Sequence, residues 1–338
     1  MAGVTIYDVA KEANCSTATV SLVLKKSNRI KEDTRNRVMQ AIEKLHYTPN
    51  YMAQSLSVKS TQTLGLIVPN VENPLYSLMI SGVERQAAAM GYNIILGMTD
   101  SISEKEDLYI TMLQSKRVDG LILFPSFLEI LAERLSHIDA SRTPFILCGS
   151  SGKGLVDVPY VKCDNRMGAY IAVNHLIDIG CKRIACIFPV VDKNQYQSRL
   201  SGYQDALYYR GIKYNENLIA VCSPDSDEIF ETTAKFVQEQ KPDGIFCLYD
   251  YAAIPVMNAI TSLGLRIPDE VALIGYDNIR ISKHMPIALS TIDTHGYEVG
   301  VKSAEWLINQ INGVENPENE IIIKPDLVTR KSTMISGK

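Results

Sequence analysis

Apolar positions in the first fifty residues recur at three- and four-residue intervals, the period of short amphipathic helices. Ile6, Val9, Ala10 and Ala13 share one face, Val20, Val23 and Leu24 a second, and Val38, Ile42 and Leu45 a third. Polar residues mark where each helix starts. Thr5-Ile6-Tyr7-Asp8 has the spacing of a capping box, with the Thr5 hydroxyl placed to accept from first-turn amides. Asn14-Cys15 ends that helix, and Ser16 is a good N-cap for a second over Thr17 to Leu24. A third is predicted over roughly Glu32 to Leu45, with Glu32 and Asp33 favourably placed against the helix dipole. Such a trio is either a helix-turn-helix unit or a plain three-helix bundle, and periodicity alone does not separate the two. Pro49 cannot continue a helix, and Asn50 can cap a new one of about two turns over Tyr51 to Ser57. A helix that short is marginal in water, so it is expected to fold only against a partner. The polar run Ser57 to Gln62 has the composition of a linker.

From residue 63 onward the pattern changes to short continuous apolar runs. Leu64 to Val68, Asn93 to Leu96, Gly120 to Phe124 and Phe145 to Cys148 predict strands, with helices near 75–90, 104–115 and 127–136. The cycle continues with strands at Arg183 to Phe188, Gly244 to Leu248 and Val271 to Gly275, and helices near 166–179, 196–210, 227–240 and 251–263. Fully apolar strands alternating with helices imply parallel sheets covered on both faces. About ten such cycles are too many for one compact sheet, so the expectation is two doubly wound lobes, with ligands at the carboxyl ends of the strands.

Composition narrows the class. Of 338 residues, 46% are apolar and 21% charged, as in ordinary soluble proteins. There is no uncharged apolar run long enough to span a membrane and no basic-then-apolar leader, so a cytoplasmic protein is expected. Seven cysteines without a C-x-x-C pair read as buried, reduced thiols. Charge divides unevenly: residues 1–60 hold nine Lys/Arg against five Asp/Glu, a net +4, which leaves −8 on the remainder. A basic head on an acidic body suggests that the head alone meets a polyanion. Catalytic and metal motifs are missing. Gly149-Ser150-Ser151-Gly152-Lys153-Gly154 fits neither a P-loop nor a nucleophile elbow, and His46, His137, His175, His284 and His295 are scattered. Neither an enzyme nor a cofactor is expected.

Particular residues go further than the pattern. Val4 to Ala13, then Ser16-Thr17-Ala18-Thr19-Val20-Ser21, Thr34-Arg35 and Tyr47-x-Pro49-Asn50, resemble the DNA-binding headpiece of the LacI family without a gap. The core resembles that family's periplasmic-binding-protein-like domain. The matching segments are Asn73-Pro74-x-Tyr76, Val118-Asp119-Gly120, Asp164-Asn165 with Gly168-Ala169, Arg199 to Tyr203, Asp250-x-x-Ala253, Ile267-Pro268-x-Glu270-Val271, Gly275 to Asn278 and Arg330 to Thr333.

The resemblance implies a small all-α helix-turn-helix headpiece over 1–49 and a hinge helix with linker over 50–62. It implies an α/β core over 63–338 of two doubly wound parallel-sheet lobes with three chain crossings. The N-lobe would take about 63–163 and 294–326, and the C-lobe about 164–293 and 327–338. It also implies a sequence-specific transcriptional regulator, of repressor type, that binds a palindromic operator in double-stranded DNA as a homodimer. Thr17, Ala18 and Leu22 would face base edges in the major groove, while Thr5, Tyr7, Ser16, Thr19, Ser21, Lys25 and Asn50 would hold phosphates. Ala53 would let paired hinge helices approach, and Leu56 would wedge into the minor groove. A small-molecule effector (a sugar or sugar derivative first, with sugar phosphates and nucleobases in the same class) would meet Asn73 and Tyr76 from the N-lobe. Lys193, Gln195, Arg199, Tyr249, Asp250 and Asp277 would meet it from the C-lobe.

Three departures from the family pattern bear on this. Leu22 stands where Arg or another polar reader is usual, and leucine meets only a thymine methyl, so A·T is expected opposite it. Lys25 replaces a commonly neutral residue and should add a phosphate contact. Tyr249 replaces a polar residue and Pro255 a glycine, which alters the pocket; Tyr76, Tyr249 and Tyr251 would suit stacking on a ring. Two other readings of the core remain: a regulator that answers to a partner protein, and a solute-binding protein for transport, which the headpiece does not fit. No apolar heptad follows Met334, so a C-terminal coiled-coil tetramer is not expected.

Overall fold

A computed structural model describes residues 4–24, 27, 29–47, 60–115, 118–125, 135, 143–150, 158–189 and 193–334. The chain forms two compact units, residues 1–61 and 62–338.

The first unit holds α1 (Ile6–Glu12), α2 (Thr17–Leu24) and α3 (Glu32–Lys44). The expected capping box is present, and within it the Asp8 carboxylate accepts from both the backbone N–H and the hydroxyl of Thr5, at 2.8 and 2.7 Å. The Ser16 hydroxyl accepts from the Thr19 N–H at 3.1 Å and caps α2. Asn14 and His46, both with positive φ, end α1 and α3. Val9, Ala10, Ala13, Val20, Val23, Val38 and Ala41 are the core, with Ile6, Leu24, Ile42 and Leu45 packed at its margin. The predicted hinge helix lies outside the described residues, as does most of the helix predicted at 127–136.

The second unit contains two six-stranded sheets among the described residues. The N-lobe sheet runs in the order β2-β1-β3-β4-β5-β11, with β1 Thr63–Val68, β2 Asn93–Met98, β3 Gly120–Leu123, β4 Phe145–Cys148, β5 Tyr160–Cys163 and β11 Glu320–Ile323. All its pairings are parallel. In the C-lobe the order is β7-β6-β8-β9-β10-β12, with β6 Ile184–Pro189, β7 Ile219–Cys222, β8 Gly244–Cys247, β9 Ala272–Tyr276, β10 Ser290–Asp293 and β12 Asp326–Val328; only β12 is antiparallel. All but one of the apolar runs that predicted strands are central strands, buried along most of their length because helices cover both faces; the exception, Asn93 to Leu96, is the edge strand β2 and is largely exposed.

Helices α4 (Pro74–Ala89) and α5 (Ser103–Gln114) belong to the N-lobe. The C-lobe carries α6 (Asn165–Asp178), α7 (Lys193–Tyr209), α8 (Ser226–Gln240) and α9 (Asp250–Ser262), and α10 (Gly296–Ile311) returns to the N-lobe. The hydrophobic pattern did not reveal α10 or the short strands β5, β7, β10, β11 and β12. The backbones of α4 and α10 approach so closely that a Cβ on Gly82 would lie 2.1 Å from the Tyr297 carbonyl, and one on Gly300 2.1 Å from that of Met79. The chain passes between the sheets three times: between β5 and α6, between β10 and α10, and between β11 and β12.

Candidate functional site

In the headpiece, burial of Val20 and Val23 turns the opposite side of α2 outward. Thr17 and Ser21 are half-buried, and Ala18 and Leu22 are exposed, Leu22 at 38%. Tyr7, on α1, is 74% exposed. These side chains form a largely apolar exposed edge bordered by hydroxyls. Three of the expected phosphate ligands already have local partners: the Thr5 hydroxyl donates to Asp8, and Ser16 and Thr19 share a hydrogen bond of 2.9 Å. Lys25, Asn50, Ala53 and Leu56 lie outside the described residues.

The core brings Arg199, Tyr249, Asp250 and Asp277 together at the carboxyl end of the C-lobe sheet. Arg199 comes from α7, Tyr249 and Asp250 follow β8, and Asp277 follows β9. Arg199 Nη2 lies 3.1 Å from Asp277 Oδ1, and both side chains are 1% exposed. The other two guanidinium nitrogens donate to Asn165 Oδ1 at 3.2 Å, from Nε, and to the Leu248 carbonyl, from Nη1. The guanidinium carbon lies 3.8 Å from the Tyr276 ring centroid and 4.7 Å from that of Tyr249, so the cation is held against two aromatic faces. Burial opposes the Arg199 charge, but Asp277 with lesser help from Tyr276 and Tyr249 more than offsets it, and the group stays protonated. Burial pushes the Asp277 carboxyl up from the usual carboxylate range against the pull of Arg199.

Asp250 is wholly buried, and its oxygens are turned toward protein donors: Ile279 N–H at 3.0 Å, the Ser282 hydroxyl at 2.5 Å and the Thr291 hydroxyl at 2.7 Å. Burial raises it to about 6, although these hydrogen bonds pull it down. Lys193 and Gln195 fall in the first turn of α7, with side chains outside those described. Asn73 and Tyr76 belong to the other lobe, at the start of α4. The Asn73 side chain caps that helix by accepting from Leu75 N–H at 3.0 Å, and the Tyr76 ring lies 6.0 Å from that of Phe124. Pro255 is buried inside α9. Sequence reasoning missed Asn165, Tyr276, Ser282 and Thr291. Tyr276 and Asn165 stood within quoted motifs; nothing in the local pattern marked Ser282 or Thr291.

The chain thus holds a three-helix unit whose second helix turns one face outward, and a two-lobed unit whose C-lobe strand ends gather a buried charge cluster. The family described as bacterial regulatory proteins, lacI family, matches residues 5–50, and the periplasmic binding protein-like domain matches residues 173–333. The transcriptional repressor PurR of Vibrio vulnificus is 34% identical over 331 residues, covering 96% of this chain and 97% of that protein. The chain belongs to the LacI family. It is a DNA-binding transcriptional repressor of that family, with a helix-turn-helix headpiece and a periplasmic-binding-protein-like core. Among solved structures, the lac repressor dimer bound to operator and the anti-inducer ONPF superposes with a TM-score of 0.88 at 24% identity, covering 98% of this chain and 99% of that one. A complex of the transcriptional regulator CelR with cellobiose gives 0.73 at 25% identity, covering 97% and 99%. Among the described residues of this LacI-family chain, no helix is long and apolar enough to cross a membrane, and no group of metal-ligating side chains gathers.

Proposed function

We propose that this repressor binds a palindromic operator as a homodimer in the cytoplasm and that a sugar or sugar derivative in the interlobe cleft sets its operator affinity. The observation that carries the effector reading is the Arg199–Asp277 pair at the strand ends of the C-lobe. A guanidinium and a carboxylate held side by side offer fixed donors and acceptors to adjacent hydroxyls. The cellobiose bound by CelR, whose fold this chain shares, supports a sugar.

Support for the dimer comes from the N-lobe's edge strand. On β2, Ile95, Leu96 and Met98 are each more than 40% exposed, and an apolar sheet edge of this kind is a surface that proteins cover. A two-fold dimer reads a palindrome. Each half-site is read by Thr17, Ala18 and Leu22, with Tyr7, Ser21 and Lys25 on phosphates and Asn50, Ala53 and Leu56 acting from the hinge.

The test is selection of bound sequences from random duplex DNA by the full-length protein, then titration of that complex with cellobiose, ribose, adenine and guanine. A symmetric consensus and a sugar-dependent change in operator affinity are expected. Coupling of this kind is typically about 1–3 kcal/mol and reciprocal, so operator must change sugar affinity by the same factor. Response to a nucleobase alone would reassign the effector class. An asymmetric consensus would overturn the dimer, and response to none of the four would leave a protein partner as the controlling signal.

A further inference from the structure

The loop between β9 and β10 carries two consecutive non-glycine residues in the left-handed region, Asp277 at φ 106° and Asn278 at φ 51°. Residues with a side chain adopt that conformation only where their surroundings over-determine it. Here several ties do so. Asp277 N–H donates to the Ile292 carbonyl at 2.8 Å, and Asn278 N–H to the Thr291 hydroxyl at 3.3 Å. The Asn278 side chain bridges Asp293 at 2.8 Å and Arg330 at 2.6 Å. Three further hydrogen bonds converge on the Asp250 carboxylate, from Ile279 N–H, Ser282 and Thr291. Thr291 therefore links Asp250 to the backbone of Asn278 itself.

We propose that Asp250 is the positioning residue of the effector site: without touching the effector, it holds the left-handed turn that aims Asp277 at Arg199. The inference rests on the effector reading above. Direct contact does not suit Asp250, because both its oxygens already accept from protein donors and Oδ1 lies against Gly275, where a Cβ would be only 2.2 Å away. Gly275 is thus the glycine that this approach requires, and Gly275-Tyr276-Asp277-Asn278 works as one unit with a residue 25 or more positions upstream. An ionised carboxylate suits the task because it only accepts, with two oxygens, and all the groups aimed at it donate. Asparagine would turn an NH2 toward at least one of those donors. Anchorage in the first turn of α9 makes the support rigid.

The experiment uses the full-length protein with Asp250→Asn, Ser282→Ala and Thr291→Val, each alone and combined with Asp277→Asn. Amide hydrogen exchange is followed over residues 276–282, and affinity is measured for cellobiose, ribose, adenine and guanine. Asp250→Asn and Ser282→Ala are expected to speed exchange at Asp277, Asn278 and Ile279 at least tenfold. They should also weaken the probe that wild type binds at least tenfold, and that weakening should vanish in the Asp277→Asn background. Losses that add in the double variant would mean Asp250 meets the effector itself and would overturn the proposal. So would unchanged exchange, or a lowered melting temperature with unchanged affinity. Should Asp250→Asn fail to fold, Ser282→Ala and Thr291→Val, which each remove a single tie, decide the same question. If wild type binds no probe, the effector reading fails, while exchange still reports whether Asp250 holds the turn.

Discussion

Replacing Arg199 by methionine separates the energetic role of the buried pair from its role in binding. Methionine fills much of the slot between Tyr249 and Tyr276 without a charge. It strands the Asp277 carboxylate, which is 1% exposed, and removes the donors that Asn165 and the Leu248 carbonyl now receive. Breaking a buried pair from one side costs about 3–5 kcal/mol, because the remaining carboxyl must either stay charged without a partner or take up a proton in a site built for the anion. For a lobe of this size roughly 2–4 °C accompany each kcal/mol, so scanning calorimetry should show the C-lobe transition lowered by roughly 6–20 °C. Adding Asp277→Asn removes the stranded charge. Asparagine is the appropriate choice at φ 106°, where leucine would be strained. The double variant should recover about 2 kcal/mol or more, since two neutral groups cost far less to bury than one orphan ion. Neither variant should respond to the effector. A single variant within about 1 kcal/mol of wild type, or a double variant no more stable than the single, would refute the reasoning.

Three further outcomes are expected. Asp250 has a folded value of about 6 against an ordinary 3.8, so the native state holds its proton at higher pH than the unfolded chain does. Its contribution to stability is therefore complete below about pH 4 and lost as pH rises through 6; denaturant titrations across that window should show a shallower slope for Asp250→Asn, and an unchanged slope would count against the assignment. Gly300→Ala places a Cβ 2.1 Å from the Met79 carbonyl and should cost about 1–3 kcal/mol, read from the fluorescence of Trp306 on the same helix during denaturation; an unshifted midpoint would show that α4 and α10 can part without penalty. Leu22→Arg should move the preferred base pair opposite position 22 from A·T to one carrying guanine, by about 1–3 kcal/mol in competition binding; no change would mean that Leu22 does not face a base edge.

The headpiece was legible almost residue by residue, because its signals are local. A capping box, a Ser N-cap and three-four spacing act within one or two turns, and α2 spans Thr17–Leu24 as the pattern predicted. The central strands were equally plain, since burial on both faces leaves continuous apolar runs. Lys162 interrupts β5 and hides it, whereas β7, an unbroken apolar run over Ile219–Cys222, and α10, with Val299, Ala304, Leu307 and Ile308 buried beside Gly296 and Gly300, carried apolar signals that went unread. Resemblance to a family named Lys193, Gln195, Arg199, Tyr249, Asp250 and Asp277 as the C-lobe group, with Arg199 and Asp277 foremost, but gave none of their partners. Which of them meet, and through which atoms, was decided only by tertiary structure. Arg199 and Asp277 pair across 78 positions, and Asp250 reaches Thr291 across 41. Residues so far apart meet only when the sheet orders its strands, and the partners of each follow from where its oxygens then point. Hydrogen bonds and desolvation act over a few ångströms of space, which sequence spacing does not measure.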